Sequence, residues 1–499
     1  MRSSEILDSL VDIEKRHPVA DWRIAGVRVW PLVRVWLYND LFNSAVLQDA
    51  APSSTSRHMT RVQRLIRARL RVATASWRDR KANAQLGSPA DAVFYSDGVS
   101  FVKVEGVWYD KLFDPIIGWL RQRDARFLLL TPMTEAHHPR RSASRFIQPR
   151  LDAIKVCAAL RRGVAGEVNL PGFDAQLSGT RMNAALLFRL WNRLTALSDY
   201  FERVLSAAAP VRAFVNTYYS IEGMAFVLAC RRLRVPVADL QHGLQGDHHV
   251  AYGRWLNLPN NGYELLPDEF WVWGELERRA IDDWTPYRRT YHQPVITGNA
   301  WLELWRSESD PFVHHAVSEA RRMRRADARR CVLVTLQWGL PEEETLKLLR
   351  AIRMAPDDIQ WWLRLHPLVA HDRRPIRSLI EQYGLRNVQI DGPTDLPLHA
   401  LLKIIDVHVT HSSSTVIEAC EFAVPSVVTS QDGAQFFQEQ IAAGVATVAT
   451  TDHEIVAAVN ALGTGTNVHS TPLSARGCLE QALFRAFPDL CARHERVLP

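Results

Sequence analysis

Residues 407–429, VHVTHSSSTVIEACEFAVPSVVT, constrain the chain most. They read as a buried strand (Val407, His408, Val409, Thr410), a hydroxyl-rich turn (His411, Ser412, Ser413, Ser414), a helix and a second buried strand. Val416, Ile417, Ala419 and Cys420 form the apolar face of that helix. This order is half of an α/β unit of the kind that holds nucleotides. A turn feeding a helix N-terminus presents unpaired backbone N–H groups and the positive end of the helix dipole, which together suit a phosphate. Serine hydroxyls add donors without blocking approach, and Glu418, one turn into the helix, stands within reach of a ribose beside that phosphate. Thr415 and Glu418 also have capping-box spacing, so the same residues can serve only to start the helix.

The strand–turn–helix pattern recurs. Ala92-Val93-Phe94-Tyr95 ends in Ser96-Asp97-Gly98, and an amphipathic helix over 109–121 and a strand over 126–131 follow. After a long helical region over 148–209, strands are expected at 212–217 and 235–240 with a helix over 222–233 between them. The last of these strands runs into Gln241-His242-Gly243, with Asp247, His248 and His249 close behind. Further strands end at Gly274 and Asn299; a helix over 312–330 leads to Cys331-Val332-Leu333-Val334-Thr335-Leu336-Gln337, and another strand, 361–367, carries Arg364 and His366 at its end. Such alternation argues parallel sheets covered on both faces. Metal binding is not expected: His248 and His249 are adjacent and point apart on an extended chain.

Residues 1–90 do not follow the pattern and read as a mostly helical extension. Within it, 57–81 holds nine Lys or Arg against one Asp, with Val62, Leu65, Ile66, Leu70, Ala73 and Trp77 at helical spacing. Such a helix can lie on anionic lipid or pack its stripe on the rest of the protein. The 499 residues are too many for one core, and 47% hydrophobic with 23% charged residues is a folded-protein composition. A net charge of +6 over this length does not imply nucleic acid. Six cysteines without a C-x-x-C pair, no leader-like apolar core and no membrane-length run give the expectation of a cytoplasmic protein, with the basic helix offering a peripheral site at an inner membrane.

Three sets of residues carry a family resemblance. Val295-Ile296-Thr297-Gly298-Asn299 resembles the segment that introduces the second domain of GT-B glycosyltransferases and of UDP-N-acetylglucosamine 2-epimerases. Leu365-His366-Pro367 with Ser412, Ser413 and Ser414 resembles the His-Pro and Ser-rich motifs of bacterial sialyltransferases and capsular 3-deoxy-octulosonate (Kdo) transferases, where the resemblance implies contacts to the CMP part of an activated sugar. Leu240-Gln241-His242-Gly243 is similar to a motif of the capsule-synthesis family and of teichoic-acid polymerases that use CDP-glycerol. The likeness spans 91–445 but is confined to motifs. Ala423 departs from it, standing where such folds usually carry glycine, and the paired glutamates of many retaining transferases are not evident around Glu418.

The expected fold is therefore α/β, two Rossmann-like domains facing a cleft: an extension (1–90), an acceptor domain (91–298), a donor domain (299–480) and a helical tail (481–499). The expected activity is glycosyl transfer in bacterial capsule or lipopolysaccharide synthesis, from a nucleotide sugar, CMP-linked by preference, to a glycan or glycolipid, with no metal or other cofactor. Arg364, His366, Ser412, Ser413, Ser414 and Glu418, with Thr335, Gln337 and Gly339 at the end of a neighbouring strand, are the donor-binding candidates. Asp97 and His242 are the candidates for the base. The rival readings are a UDP-sugar 2-epimerase or related nucleotide-diphosphate-sugar enzyme, and a non-catalytic scaffold of capsule assembly.

Overall fold

Strands form in this chain where short runs are apolar on both faces, and two parallel sheets result. The computed structural model describes residues 3–49, 89–104, 106–132, 139–161, 163–243, 245–256, 258–285, 291–306, 311–462 and 478–490. They divide into two compact units. The first holds residues 3–47, the described residues from 89 to Gly298, and 478–490; the second begins at Asn299.

The first unit's main sheet contains β1 (Ala92–Tyr95), β2 (Phe127–Thr131), β3 (Arg145–Phe146), β4 (Arg212–Val215), β5 (Val237–Leu240), β6 (Glu269–Val272) and β7 (Gln293–Ile296). Their spatial order is β7-β6-β5-β4-β1-β2-β3, every pair parallel. Side chains alternate between two cores. Val93 and Tyr95 enter one, with Phe201 and Phe226 from helices Ala184–Ala208 and Ile221–Leu233. Ala92 and Phe94 enter the other, with Phe113 and Ile117 from helix Phe113–Arg121.

The extension and the tail share these cores. Leu10, Trp22 and Trp30 belong to the first, and Leu483 and Phe487, at and just beyond helix Cys478–Ala486, belong to the second. The boundaries expected at 90 and 480 are thus not boundaries of packing: an amphipathic face must be buried somewhere, and this sheet supplies the surface. The basic helix expected over 57–81 lies outside the described residues. Two local expectations are corrected. Phe101–Val104 pairs antiparallel with Val107–Asp110, so the following helix starts at Phe113. The region 148–209 is divided into helices Gln148–Ala159, Phe173–Gln176 and Ala184–Ala208, because Gly163, Gly166, Gly172 and Gly179 take positive φ values incompatible with a continuous helix.

The second unit's sheet contains β8 (Arg330–Thr335), β9 (Ile359–Arg364), β10 (Val388–Gln389), β11 (Val407–Thr410), β12 (Ser426–Val428) and β13 (Ala446–Val448), in the order β10-β9-β8-β11-β12-β13 and wholly parallel. Helices Glu342–Met354 and Asp452–Leu462 cover one face through Leu349, Ile352, Ile455 and Val459. Ala423 adopts φ +57°, a glycine-like conformation that costs an L-residue about 1 kcal/mol. Among the described residues no helix is long and apolar enough to cross a membrane.

One buried ion pair ties the extension to the rest of its unit. Glu14 and Arg34, both fully buried, pair with each other; Glu14 also accepts from Trp30 Nε1 (2.8 Å) and the Leu256 amide, and Arg34 Nη2 donates to the Gly253 carbonyl (2.9 Å). The guanidinium lies 4.2 Å over the Trp255 ring. Removing one partner strands the other charge in a dry interior. Glu14→Ala is therefore expected to cost about 3–5 kcal/mol in urea unfolding, more than the Glu14→Ala, Arg34→Met double variant; a double-variant cost equal to the sum of the two single-variant costs would show that the two charges are not coupled.

Candidate functional site

Both sheets reverse strand order once, and in a doubly wound sheet ligands gather outside the strand carboxyl ends at that reversal. In the second unit the chain runs outward from β8 to β9 and β10, then returns to place β11 on the other side of β8. Thr335 and Thr410 are register partners at the ends of β8 and β11, and the loops beyond them part company. Gln337 joins those loops: its Oε1 accepts the Ser412 amide (2.8 Å) and hydroxyl (3.2 Å), which aims its Nε2 donors elsewhere.

The hydroxyls of the turn divide their work. Ser413 Oγ accepts the Thr415 amide (3.3 Å) and bonds the Thr415 hydroxyl (3.0 Å). Ser414 is the N-cap of helix Thr415–Glu421 but makes no cap bond through its side chain. Below, Thr410 Oγ1 donates to the Thr335 carbonyl (3.2 Å) and accepts the Ser413 amide (3.2 Å). From the far side Ser430 Oγ donates to the His411 carbonyl (2.8 Å), and Gly433 comes so near that a Cβ there would lie 2.2 Å from the same oxygen. His408 is buried between Thr335 Oγ1 (2.9 Å) and Ser426 Oγ (3.0 Å), and burial lowers its pKa to about 3. Gly339, beyond Gln337, takes φ +79° with open space where a side chain would stand.

Arg364 and Glu418 are more committed than their sequence positions suggest. The strand ends at Arg364 rather than running to 367 as expected, so His366 sits in the following turn and not on the strand. Arg364 Nη1 donates to the carbonyls of Pro393 (2.6 Å) and Leu396 (2.5 Å), fastening the end of helix Asp391–Asp395; burial lowers its pKa to about 10, against the pull of Glu418 and Asp395. His366 Nδ1 accepts the Leu368 amide (3.2 Å), so the neutral ring carries its proton on Nε2, and burial holds the pKa below the ordinary histidine range. Glu418 does not close a capping box. Its Oε1 lies 3.1 Å from His399 Nε2, and Trp301 Nε1 donates to His399 Nδ1 (3.0 Å), which leaves the neutral ring's proton on Nε2 to be given to Glu418.

In the first unit the reversal lies between β1 and β4, and Asp97 sits at it. Asn216 Nδ2 (2.7 Å) and the Val99 amide (3.0 Å) donate to Asp97 Oδ1, Thr217 Oγ1 donates to Oδ2 (2.6 Å), and the Asp97 amide donates to Asn216 Oδ1 (2.9 Å). Thr217 takes φ +56° to make its bond, a strained conformation for a β-branched residue. At the end of the next strand His242 Nε2 lies 3.2 Å from the Tyr219 hydroxyl, its Nδ1 is buried, and the Leu240 backbone is near enough to act on the ring. Burial lowers the His242 pKa and the charge of Asp97 opposes the shift, so the structure brings these two residues within electrostatic reach. Beneath them Asp239 accepts the Tyr218 amide (3.1 Å) and the Tyr252 hydroxyl (2.8 Å), and burial raises its carboxyl to about 8. No group of three or more His, Cys, Asp or Glu among the described residues is placed to hold a metal ion.

No protein-family model and no curated protein matches the chain. Solved structures do. A UDP-N-acetylglucosamine 2-epimerase aligns with a TM-score of 0.50 at 14% identity, over 80% of this chain and 96% of that one. The Neisseria meningitidis UDP-GlcNAc 2-epimerase bound to UDP-GlcNAc aligns at 0.49 and 13% identity, over 80% of this chain and 100% of its own. The calicheamicin glycosyltransferase CalG4 aligns at 0.43 and 16%, over 82% and 100%. At such identities the likeness carries the fold alone: α/β, two Rossmann-like domains, with an N-terminal helical part.

Several residues of these sites carry no sequence signal of their own. Asn216 and Thr217 end the strand expected at 212–217, which is the signal that could have found them, and Tyr219, a weaker candidate for the base by sequence, follows it; His399, Ser430 and Gly433 meet the site only through folding. The buried His408 gives a direct test. In the unfolded chain it takes up a proton near pH 6.5, while in the folded chain it stays neutral down to about 3, so stability falls as pH drops below 6.5. Between pH 6.5 and 5 the parent protein is expected to lose about 2 kcal/mol more than His408→Asn in urea unfolding; parallel losses would mean that His408 does not stay neutral in the fold.

Proposed function

We propose that the chain is a glycosyltransferase of bacterial capsule or lipopolysaccharide synthesis, taking a sugar from a nucleotide-activated donor, CMP-linked by preference, to a glycan or glycolipid acceptor without a metal. The observation that carries the reading is the bridge from Gln337 to Ser412 at the reversal of the second sheet, which fixes an open, donor-rich loop pair where α/β proteins hold phosphates. Preference for CMP rests on the likeness of Leu365-His366-Pro367 and the serine turn to sialyl- and Kdo-transferases.

Glycosyl transfer needs stabilisation of the departing phosphate and removal of a proton from the acceptor hydroxyl. For the first task Gln337 Nε2, Ser414 Oγ and His366 Nε2–H are donors outside the internal bonds of the loop. Gly339 lets a ligand approach the backbone; Ser412, Ser413 and Thr335 hold the loop's shape; Arg364 steadies the neighbouring turn; and Glu418, oriented by His399, accepts from a ribose hydroxyl. For the second task His242 is the base. It is held neutral by burial, and Asp97 steadies the imidazolium through charge as a positioning residue. The basic segment 57–81 is the proposed contact to an anionic membrane carrying the acceptor.

Calorimetric titration with CMP, CDP, UDP and GDP tests the donor site. CMP is expected to bind best, with Gln337→Ala and Ser414→Ala each weakening it about tenfold or more, since a hydrogen bond to a charged group is worth about 1.5–3 kcal/mol. His242→Gln should leave binding intact and lower turnover by about 10²–10⁴-fold. A preference for UDP with acceptor-independent turnover would replace the transferase with an epimerase, and a folded protein that binds none of the four would be a scaffold.

A further inference from the structure

Three cavities of about 280, 590 and 710 Å³ adjoin on the first unit, away from the residues discussed above. The smallest and the middle one share Arg161 and Asp199, and the middle and the largest share Arg232, so they form one groove. It begins between helices Gln148–Ala159 and Ala184–Ala208 and reaches the amino ends of β4, β6 and β7 at Arg212, Glu269 and Gln293. Arginines recur along its whole length. Arg212 is balanced by Glu269 (2.6 Å), Arg231 by Asp268 and Arg232 by Glu202 (2.7 Å). Arg161, Arg203 and Arg234 are exposed and have no ion-pair partner among the described residues, and they are spread over the three cavities rather than gathered at one point.

The geometry points to an exosite for a linear acidic polysaccharide, one bearing a carboxylate or phosphate along its repeats. Guanidinium groups spaced along a groove match charges spaced along a chain, and each can engage a carboxylate through two parallel N–H groups. The interleaved Asp199, Asn192, Thr195 and Gln293 suit such a partner, because acceptor side chains pair with sugar hydroxyls. Among the described residues no aromatic side chain other than Trp191 and Tyr291 lines the groove to stack successive bases of a nucleic acid, and a concave groove does not fit the plane of a bilayer. This inference goes beyond the transferase reading and does not depend on it.

The test uses the full chain with four probes: oligogalacturonates of increasing length, neutral dextran, anionic phosphatidylglycerol vesicles and a single-stranded oligonucleotide. Oligogalacturonate affinity is expected to rise with chain length and fall with salt, dextran not to bind, and Arg161→Glu with Arg203→Glu to weaken the longest oligomer at least tenfold. Arg161→Lys with Arg203→Lys, which keeps the charge without the planar fork, should lose less. Both positions are exposed, and an unchanged urea-unfolding midpoint checks that the variants fold. Absence of oligogalacturonate binding, binding that the charge reversal leaves unchanged, or a charge-reversal loss confined to vesicles or the oligonucleotide would each overturn the exosite. Absence of nucleotide binding by the parent protein bears on the transferase reading alone.

Discussion

The reversal of strand order in each parallel sheet is the constraint on which the rest of the structure depends. A wound sheet can change direction only by sending two neighbouring strands into loops that separate, and those loops expose backbone groups the sheet no longer pairs. In the second unit the Gln337 side chain, accepting from the amide and hydroxyl of Ser412, holds the two loops in one arrangement. In the first unit the paired Asp97 and Asn216 do the same between β1 and β4. The two bridges differ in chemistry: an amide leaves a neutral, donor-rich opening, whereas a carboxylate leaves a negative field that bears on His242.

Burial sets the protonation of the groups around these bridges. His408, enclosed by two hydroxyls, is neutral at any ordinary pH and serves as a cross-strand tie. Asp239, with its carboxyl pushed up to about 8, is a neutral support under the first site at pH 7 rather than a second negative charge beside Asp97. Asp97 differs through its partners: three donors satisfy its oxygens and fix the carboxylate in place.

The sheets were legible because their strands are short apolar runs ending in turn residues; Ala92–Tyr95 and Val407–Thr410 occur where the sequence puts them. The ends of those strands were legible for the same reason, which is why Asp97, His242, Gln337 and Ser412 could be singled out. What each side chain meets was not. Asp97 finds Asn216 and Thr217 about 120 residues away, and nothing local foretells that Arg364 turns to the carbonyls of Pro393 and Leu396. The packing of the extension was hidden in the same way, since Glu14, Arg34 and the Leu256 amide come together only in the folded unit. Breaks in the helical region over 148–209 were signalled by its glycines but are set by the backbone angles those glycines adopt.

In the proposed function the bridged loops of the second unit hold a nucleotide. Amide hydrogen exchange with and without saturating CMP, read at peptide resolution across the chain, tests it most directly. Slowed exchange is expected in 336–340 and 411–415, with little change in the buried strand Arg330–Thr335. Slowed exchange elsewhere with none in those two loops would contradict it.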